Sequence, residues 1–71
     1  MTKVGDRIRL VHTSDTYTNL RPGDEGTVDW VDDIGTTFVD WDNGSSLGLI
    51  RGEDTWEVIL LAGEDRRENV E

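Results

Sequence analysis

The side chains that could perform nucleophilic or acid–base chemistry are few in this 71-residue chain. His12 is the only histidine, and the residue pattern places it at the end of a strand. Ser14, Ser45 and Ser46 fall in predicted loops or turns. Nucleophilic catalysis needs a base beside the nucleophile and a third group that orients the base. No such set can be assembled from these residues, so we expect a protein that is not an enzyme.

Two acidic clusters could be considered as cation ligands. Asp40, Asp42 and Asn43 precede Gly44, an order that partly resembles a calcium loop. The regular acid spacing and the late glutamate of a calcium loop are missing. The pair Asp32-Asp33 precedes Ile34 and does not have this spacing either. The chain has no cysteine, so a thiolate site is excluded. We therefore expect no metal site and no cofactor.

Aromatic side chains beside acids point to binding instead. Phe38 has the opposite parity to Val39 and is expected to face outwards, while Tyr17 lies in mid-loop. Trp30 is ambiguous, because alternation places it inside but it lies near a strand end. Exposed aromatics mark contact surfaces, and neighbouring acids suit a basic peptide through ion pairs and cation–π contacts. The predicted partner-binding residues are Tyr17, Trp30, Asp32, Asp33, Phe38 and Asp40.

The charge is strongly acidic and unevenly distributed. The net charge is −9 and the isoelectric point about 4.3. Residues 23–50 hold seven acids and no base. Such a surface repels nucleic-acid backbones, which bind clustered lysine and arginine. Three explanations stay open: solubility or a salt-rich or GC-rich source, an acidic face for a basic partner, and mimicry of nucleic acid.

Alternation of polar and apolar residues predicts five short strands. In the first strand, Ile8 and Leu10 point one way and Arg7 and Arg9 the other. The polar segment 13–23 reads as a long loop. The strands are predicted near residues 6–12, 25–31, 36–42, 45–50 and 56–60.

The turn Asn43-Gly44 is a strong hairpin signal. A type I′ turn needs a positive φ at both central residues, which asparagine and glycine tolerate best. Before the last strand, Asp54 could cap a single 3₁₀ turn. Leu20 of the long loop is expected to plug the core. The predicted core comprises Ile8, Leu10, Val28, Val39, Trp41, Leu47, Leu49, Trp56 and Val58.

Five short strands without a long helical period predict an all-β fold, a small five-stranded SH3-like barrel. In such a barrel the first long loop and the second hairpin flank a groove. We expect Tyr17, Trp30 and the Asp32-Asp33 turn to line it.

One domain is expected at residues 1–61, followed by a flexible, disordered acidic tail at 62–71. Val70 is the only apolar residue after Gly63, too few to offset the entropy of ordering. No apolar run resembles a signal peptide or approaches the roughly 18 residues of a membrane span. A cytoplasmic monomer is therefore expected.

A series of motifs in fixed order carries a family resemblance. They are Gly5-Asp6-Arg7-Ile8-Arg9-Leu10, Tyr17, Leu20-Arg21-Pro22-Gly23-Asp24-Glu25-Gly26-Thr27-Val28, Trp41-Asp42-Asn43-Gly44-Ser45, Leu47-Gly48-Leu49-Ile50 and Asp54-Thr55-Trp56-Glu57-Val58. From Gly5 to Leu60 the chain resembles a domain-of-unknown-function family of short SH3-like proteins from bacteria, prophages and phages. The resemblance implies an SH3-like fold and a phage or mobile-element source, and it implies no activity. The second and third strands are more acidic than expected of that family, which disfavours nucleic-acid binding.

Two classes of function remain. The first is a protein-interaction module that recognises a basic partner segment. The second is a nucleic-acid-related role, either weak binding through Lys3, Arg7, Arg9 and Arg21 or mimicry by the acidic hairpin.

Overall fold

The structure, a computed structural model, describes residues 2–63 and is all-β. Its strands are β1 (Arg7–His12), β2 (Glu25–Val31), β3 (Thr37–Trp41), β4 (Gly48–Leu49) and β5 (Thr55–Leu60). They form one antiparallel sheet in the order β4-β3-β2-β1-β5. The prediction of five antiparallel strands is confirmed. Within the described residues, no helix has the length and apolar character needed to cross a membrane.

The core lies on one face of the sheet, as alternation predicted. The buried apolar residues are Ile8, Leu10, Leu20, Val28, Val39, Trp41 and Leu49. Leu47, Trp56 and Val58 pack against this cluster but are only partly buried. The indole Nε1 of Trp41 donates a hydrogen bond to the Leu47 carbonyl at 2.9 Å, so the largest core side chain also has its polar atom satisfied.

Gly26 lets three strands approach closely. It pairs with Ile8 on one side and with Trp41 on the other. A Cβ atom built at this position would lie 2.6 Å from Val39 Cγ1 and 2.8 Å from the Asp40 carbonyl oxygen. The residue must therefore be glycine because of space.

The turn after β3 differs from the prediction. Gly44 N donates to the Trp41 carbonyl at 2.9 Å, and Gly44 has a φ of 87°. No non-glycine residue from 2 to 63 has a positive φ, so Asn43 does not and the turn is not type I′. The Asn43 side chain instead accepts a hydrogen bond from Ser45 N at 2.9 Å. This longer turn delays pairing, which is why β4 begins at Gly48 rather than near residue 45.

The sheet is open in the part of the chain that the structure describes. β4 and β5 form its two edges, and no pairing between them closes a barrel. The predicted 3₁₀ turn before β5 is also absent there. In its place Glu53 N and Asp54 N both donate to the Ile50 carbonyl, and Gly52 has a φ of 93°. Gly52 is the third residue of the turn formed by residues 50–53, and its positive φ takes the backbone out of the helical range, so no 3₁₀ turn forms there.

Buried carboxylates tie chain segments together at two points. Asp6 is fully buried, and its oxygens accept hydrogen bonds from Lys3 N at 2.8 Å and Ala62 N at 2.7 Å. The domain boundary predicted at Leu61 lies one residue before Ala62, which donates the second of these hydrogen bonds. The predicted tail beyond Gly63 lies outside the described residues.

Asp54 is the second buried carboxylate. Its oxygens accept hydrogen bonds from the Thr13 hydroxyl at 2.8 Å, Ser14 N at 3.0 Å and Ile50 N at 2.7 Å. Burial alone would raise the pKa of Asp54. The hydrogen bonds from Ile50, Ser14 and Thr13, with the nearby charge of His12, outweigh burial and lower the pKa below its ordinary value. Asp54 therefore joins the long β1–β2 loop to the β4–β5 turn.

Candidate functional site

A β-bulge in β2 decides where Trp30 points. Val28 pairs with Val39, but Trp30 pairs with Phe38, so Asp29 is the additional residue. Simple alternation would have placed Trp30 beside Val28 in the core. The bulge reverses that parity and turns Trp30 onto the outer face, where 61% of it is exposed.

Phe38 lies across the strand pair from Trp30 on this outer face. It is 40% exposed, as its parity predicted. On its other side it pairs with Gly48, where a Cβ atom would lie 3.0 Å from Phe38 Cδ1. Glycine thus leaves room for the ring to rest on the β4 backbone. Trp30 and Phe38 form one exposed aromatic surface, since cross-strand partners have Cβ atoms about 4.5–5.5 Å apart.

Exposed acids surround the aromatic pair. Asp29 lies in the bulge, and Asp40 follows Phe38 on the same face of β3. The four ion pairs within residues 2–63 involve neither of them. We call Asp29, Trp30, Phe38 and Asp40 the aromatic face. It combines apolar area with negative charge that no described cation compensates.

Beside the aromatic face the outer surface of the sheet is occupied by an ion-pair ladder. Arg7 Nη1 and Nη2 donate to the two carboxylate oxygens of Asp42 at 2.8 and 2.7 Å, and Nη2 also lies 3.4 Å from Glu25. Arg9 donates to Glu25 at 3.2 Å and to Glu57 at 3.1 Å. The hydrogen bond from Arg7 lowers the pKa of the Asp42 carboxyl. Three carboxylates thus offset the two arginines that the sequence had suggested for nucleic-acid binding.

The β2–β3 turn begins a separate cleft. Gly35 takes the positive φ expected of it, at 91°. Oδ1 of Asp32 accepts hydrogen bonds from Ile34 N at 3.1 Å and Thr36 N at 2.9 Å, so this acid holds the turn together. Asp33 is exposed. Both acids line a cleft of about 330 Å³ together with Arg51, Trp56 and other residues of the neighbouring strand ends.

The predicted site residues therefore occupy three places. Trp30, Phe38 and Asp40 share the outer face of the β2–β3 hairpin. Asp32 and Asp33 line the cleft at its tip. Tyr17 projects from the β1–β2 loop with 95% of its surface exposed, and neither it nor Trp30 lines the cleft. The structure does not bring all six residues into one groove, and their role in binding stays a prediction.

Sequence reasoning missed the cleft residues outside the hairpin. Trp56 was assigned to the core because it alternates with Val58, yet it is only partly buried and forms part of the cleft wall. Its Nε1 donates to the Thr2 hydroxyl at 3.1 Å. Arg51, in the β4–β5 turn, also lines the cleft. Neither residue carries a local signal for this site, since contacts distant in sequence assemble it.

Comparison with known proteins gives one match. A sequence model of a family described as a domain of unknown function, DUF4314, matches residues 2–59. No match was found among curated proteins or among solved structures. The matched span runs from the N-terminal turn through most of β5 and covers more than half of the chain. The chain therefore belongs to the DUF4314 family, whose domain has no known function.

Proposed function

We propose that this protein is a small, non-enzymatic binding module that recognises a basic segment of a protein partner through the aromatic face. One observation carries the proposal: the β-bulge at Asp29 turns Trp30 out of the core and pairs it with exposed Phe38. β-Bulges commonly redirect a side chain at functional sites. An exposed tryptophan beside an exposed phenylalanine forms a contiguous apolar area, and such areas on a protein surface mark contact sites.

The chemistry of this face suits arginine or lysine. A guanidinium over an exposed tryptophan or phenylalanine ring gains about 0.5–1 kcal/mol from the cation–π contact. Asp29 and Asp40 add attraction at the rim, and residues 23–50 contain no base to oppose it. Such a field accelerates association with a cationic partner and weakens with salt, because the Debye length is about 8 Å at physiological ionic strength.

The nucleic-acid alternative receives less support. Binding to a phosphate backbone requires available cations. Of the four cations considered for this role, Arg7 and Arg9 are engaged by Asp42, Glu25 and Glu57, so of these four only Lys3 and Arg21 form no ion pair within residues 2–63. Direct binding of nucleic acid is the competing outcome of the titration that tests the proposal.

The proposal is tested by titrating the ¹⁵N-labelled protein with a capped hexa-arginine peptide. The three indole N–H signals report separate regions: Trp30 on the aromatic face, Trp41 in the core and Trp56 in the cleft. We expect the Trp30 indole and the neighbouring β2 and β3 amides to shift, the Trp41 indole to stay in place, and the effect to decrease with added salt. Shifts confined to the Arg7 and Arg9 strand, or tight binding of duplex DNA at physiological salt, would instead support the nucleic-acid role.

Two substitutions separate a specific site from general attraction. Asp40→Asn removes one charge from the aromatic face, and Glu53→Gln removes the same charge from the exposed β4–β5 turn. We expect Asp40→Asn to weaken hexa-arginine binding more than Glu53→Gln does. Equal effects would show that only the net charge of −9 matters.

We propose further that the open sheet is part of an SH3-like barrel. The strands form a meander in which β5 returns to pair with β1, and all five contribute to one core face. Nuclear Overhauser contacts between β4 and β5 would support closure. A cytoplasmic location, a monomeric state and a bacterial, phage or prophage source stay predictions of the sequence.

A further inference from the structure

The cleft at the tip of the β2–β3 hairpin has opposite charges on two separate turns. Asp33 extends from the β2–β3 turn and Arg51 from the β4–β5 turn, and both are exposed. They form no ion pair with each other or with any other residue from 2 to 63. Each charge is therefore available to a bound group.

Trp56 lies in the wall of the cleft that Asp33 and Arg51 also line. The hydrogen bond from its Nε1 to the Thr2 hydroxyl fixes the ring orientation, and its pairing with Leu10 anchors the backbone. A second depression of about 250 Å³ shares Thr2, Arg51 and Trp56 with the first and continues to Asp54 and Thr55. Together the two depressions form one groove that runs along the Trp56 indole.

The size of the groove restricts its occupant. The main cleft, at about 330 Å³, is at the lower end of the range of about 300–1,000 Å³ for ligand sites. A short extended peptide can follow such a groove and place side chains against its two turns. A uniformly basic segment would meet repulsion at Arg51, and a uniformly acidic one would meet it at Asp33.

We propose that this groove binds an extended peptide segment of the protein partner that carries one basic and one acidic side chain, with the basic group at Asp33 and the acidic group at Arg51. The inference builds on the proposed function, since the partner that lies on the aromatic face would continue around the hairpin tip. It adds specificity: the aromatic face attracts positive charge in general, whereas the groove selects a segment of mixed charge.

The test uses capped peptides, whose termini carry no charge. The panel contains Arg-Ala-Glu and Arg-Ala-Ala-Glu as mixed segments, with Arg-Ala-Arg and Glu-Ala-Glu as controls of single sign. The ¹⁵N-labelled full chain is titrated with each, and the Trp56 indole reports the groove while the Trp30 indole reports the aromatic face. We expect the Trp56 signal to shift most with a mixed peptide.

Charge reversal gives the decisive variant. Arg51→Glu replaces an exposed side chain and should leave the fold intact, which the unshifted Trp41 indole verifies. We expect it to weaken mixed-peptide binding at Trp56 roughly two- to fivefold, the range for a single exposed ion pair, and to strengthen Arg-Ala-Arg binding there. Asp33→Asn should weaken the binding of both the mixed peptide and Arg-Ala-Arg.

The outcomes separate this inference from the proposed function. A Trp30 shift without any Trp56 shift would overturn the groove and leave the aromatic face standing. No shift at either indole would overturn both. If Arg51→Glu strengthens the binding of Arg-Ala-Arg but leaves the binding of the mixed peptides, whose net charge is zero, unchanged, net charge alone governs binding and the mixed-charge groove is wrong.

Discussion

Replacing Asp54 should destabilise the fold strongly and in a pH-dependent manner. This carboxylate is buried and accepts three hydrogen bonds, from Thr13, Ser14 and Ile50. Asp54→Ala leaves all three donors without their acceptor, which we expect to cost roughly 3–5 kcal/mol at neutral pH. The total free energy of unfolding of a domain of this size is about 4–10 kcal/mol, so the alanine variant should be close to unfolding.

Asp54→Asn keeps the shape and one acceptor oxygen and is the variant to measure. Its NH₂ group would face at least one N–H or O–H donor, so we expect a loss of about 1–3 kcal/mol. Thr13→Val is the control, because it retains the carboxylate and removes one of its donors, together with the oxygen that accepts from Asp15 N. It should cost only about 0.5–1.5 kcal/mol.

The pH dependence follows from the direction of the pKa. The folded protein lowers the pKa of Asp54 below its ordinary 3.8, so the folded state holds this proton less tightly than the unfolded chain does. Its contribution to stability is complete above the unfolded pKa and is lost as the pH falls through the folded pKa. The stability difference between wild type and Asp54→Asn should therefore shrink as the pH falls below the ordinary pKa of about 4.

Urea unfolding followed by tryptophan fluorescence measures this difference at several pH values. Asp42, whose pKa is also lowered, titrates in both proteins, so its effect is common to the two. The Thr13→Val variant should keep part of the wild-type acid sensitivity, because Ile50 N and Ser14 N still donate to the carboxylate. Equal stability of Asp54→Asn and wild type at pH 7, or a difference that stays constant well below pH 4, would show that the Asp54 carboxylate does not stabilise the fold in this way.

Three further predictions concern packing and the domain boundary. Trp41→Ala should cost roughly 3–5 kcal/mol and leave the domain largely unfolded, so a cooperative thermal melt in this variant would contradict its place in the core. Gly26→Ala should cost about 1–3 kcal/mol, measured by urea unfolding, because its Cβ would lie 2.8 Å from a backbone oxygen that cannot move alone. Truncation after Gly63 should leave the melting midpoint nearly unchanged. Truncation after Leu61 should lower the midpoint, because Asp6 then loses the hydrogen bond from Ala62 N. Equal midpoints for the two truncated proteins would show that this hydrogen bond contributes nothing to stability.

Local sequence patterns were sufficient to predict the strands and their core residues where one face of a strand is buried. Alternation located β1, β2, β3 and β5 to within a residue or two and identified most of the core. The Asn43-Gly44 turn was harder, because asparagine and glycine suit both a two-residue turn and a longer one in which only Gly44 has a positive φ. The pairing of Gly48 with Phe38 fixes the loop length, and that is a tertiary contact.

The features that define the candidate sites depend on pairings that a sequence does not display. The bulge at Asp29 is an insertion relative to β3, so only the register of both strands reveals it. Asp6 and Asp54 look like ordinary loop acids, yet each accepts hydrogen bonds from segments 40 or more residues away. The groove likewise combines Thr2, Asp33 and Trp56 from three distant parts of the chain.

The ladder and the bulge together explain where this acidic protein can attract a partner. Arg7 and Arg9 lie on β1, and their pairs with Glu25, Asp42 and Glu57 offset much of the negative charge over the β5-β1-β2 part of the outer face. Residues 23–50 contain no arginine or lysine, and the ion pairs of Arg7 and Arg9 reach Glu25 and Asp42 but neither Asp29 nor Asp40. The uncompensated acids thus coincide with the place where Trp30 and Phe38 are exposed. Placing a cation there, as in Thr36→Lys, would oppose the field while keeping both aromatic residues. Loss of hexa-arginine binding in that variant would show that charge and aromatic area act as one surface.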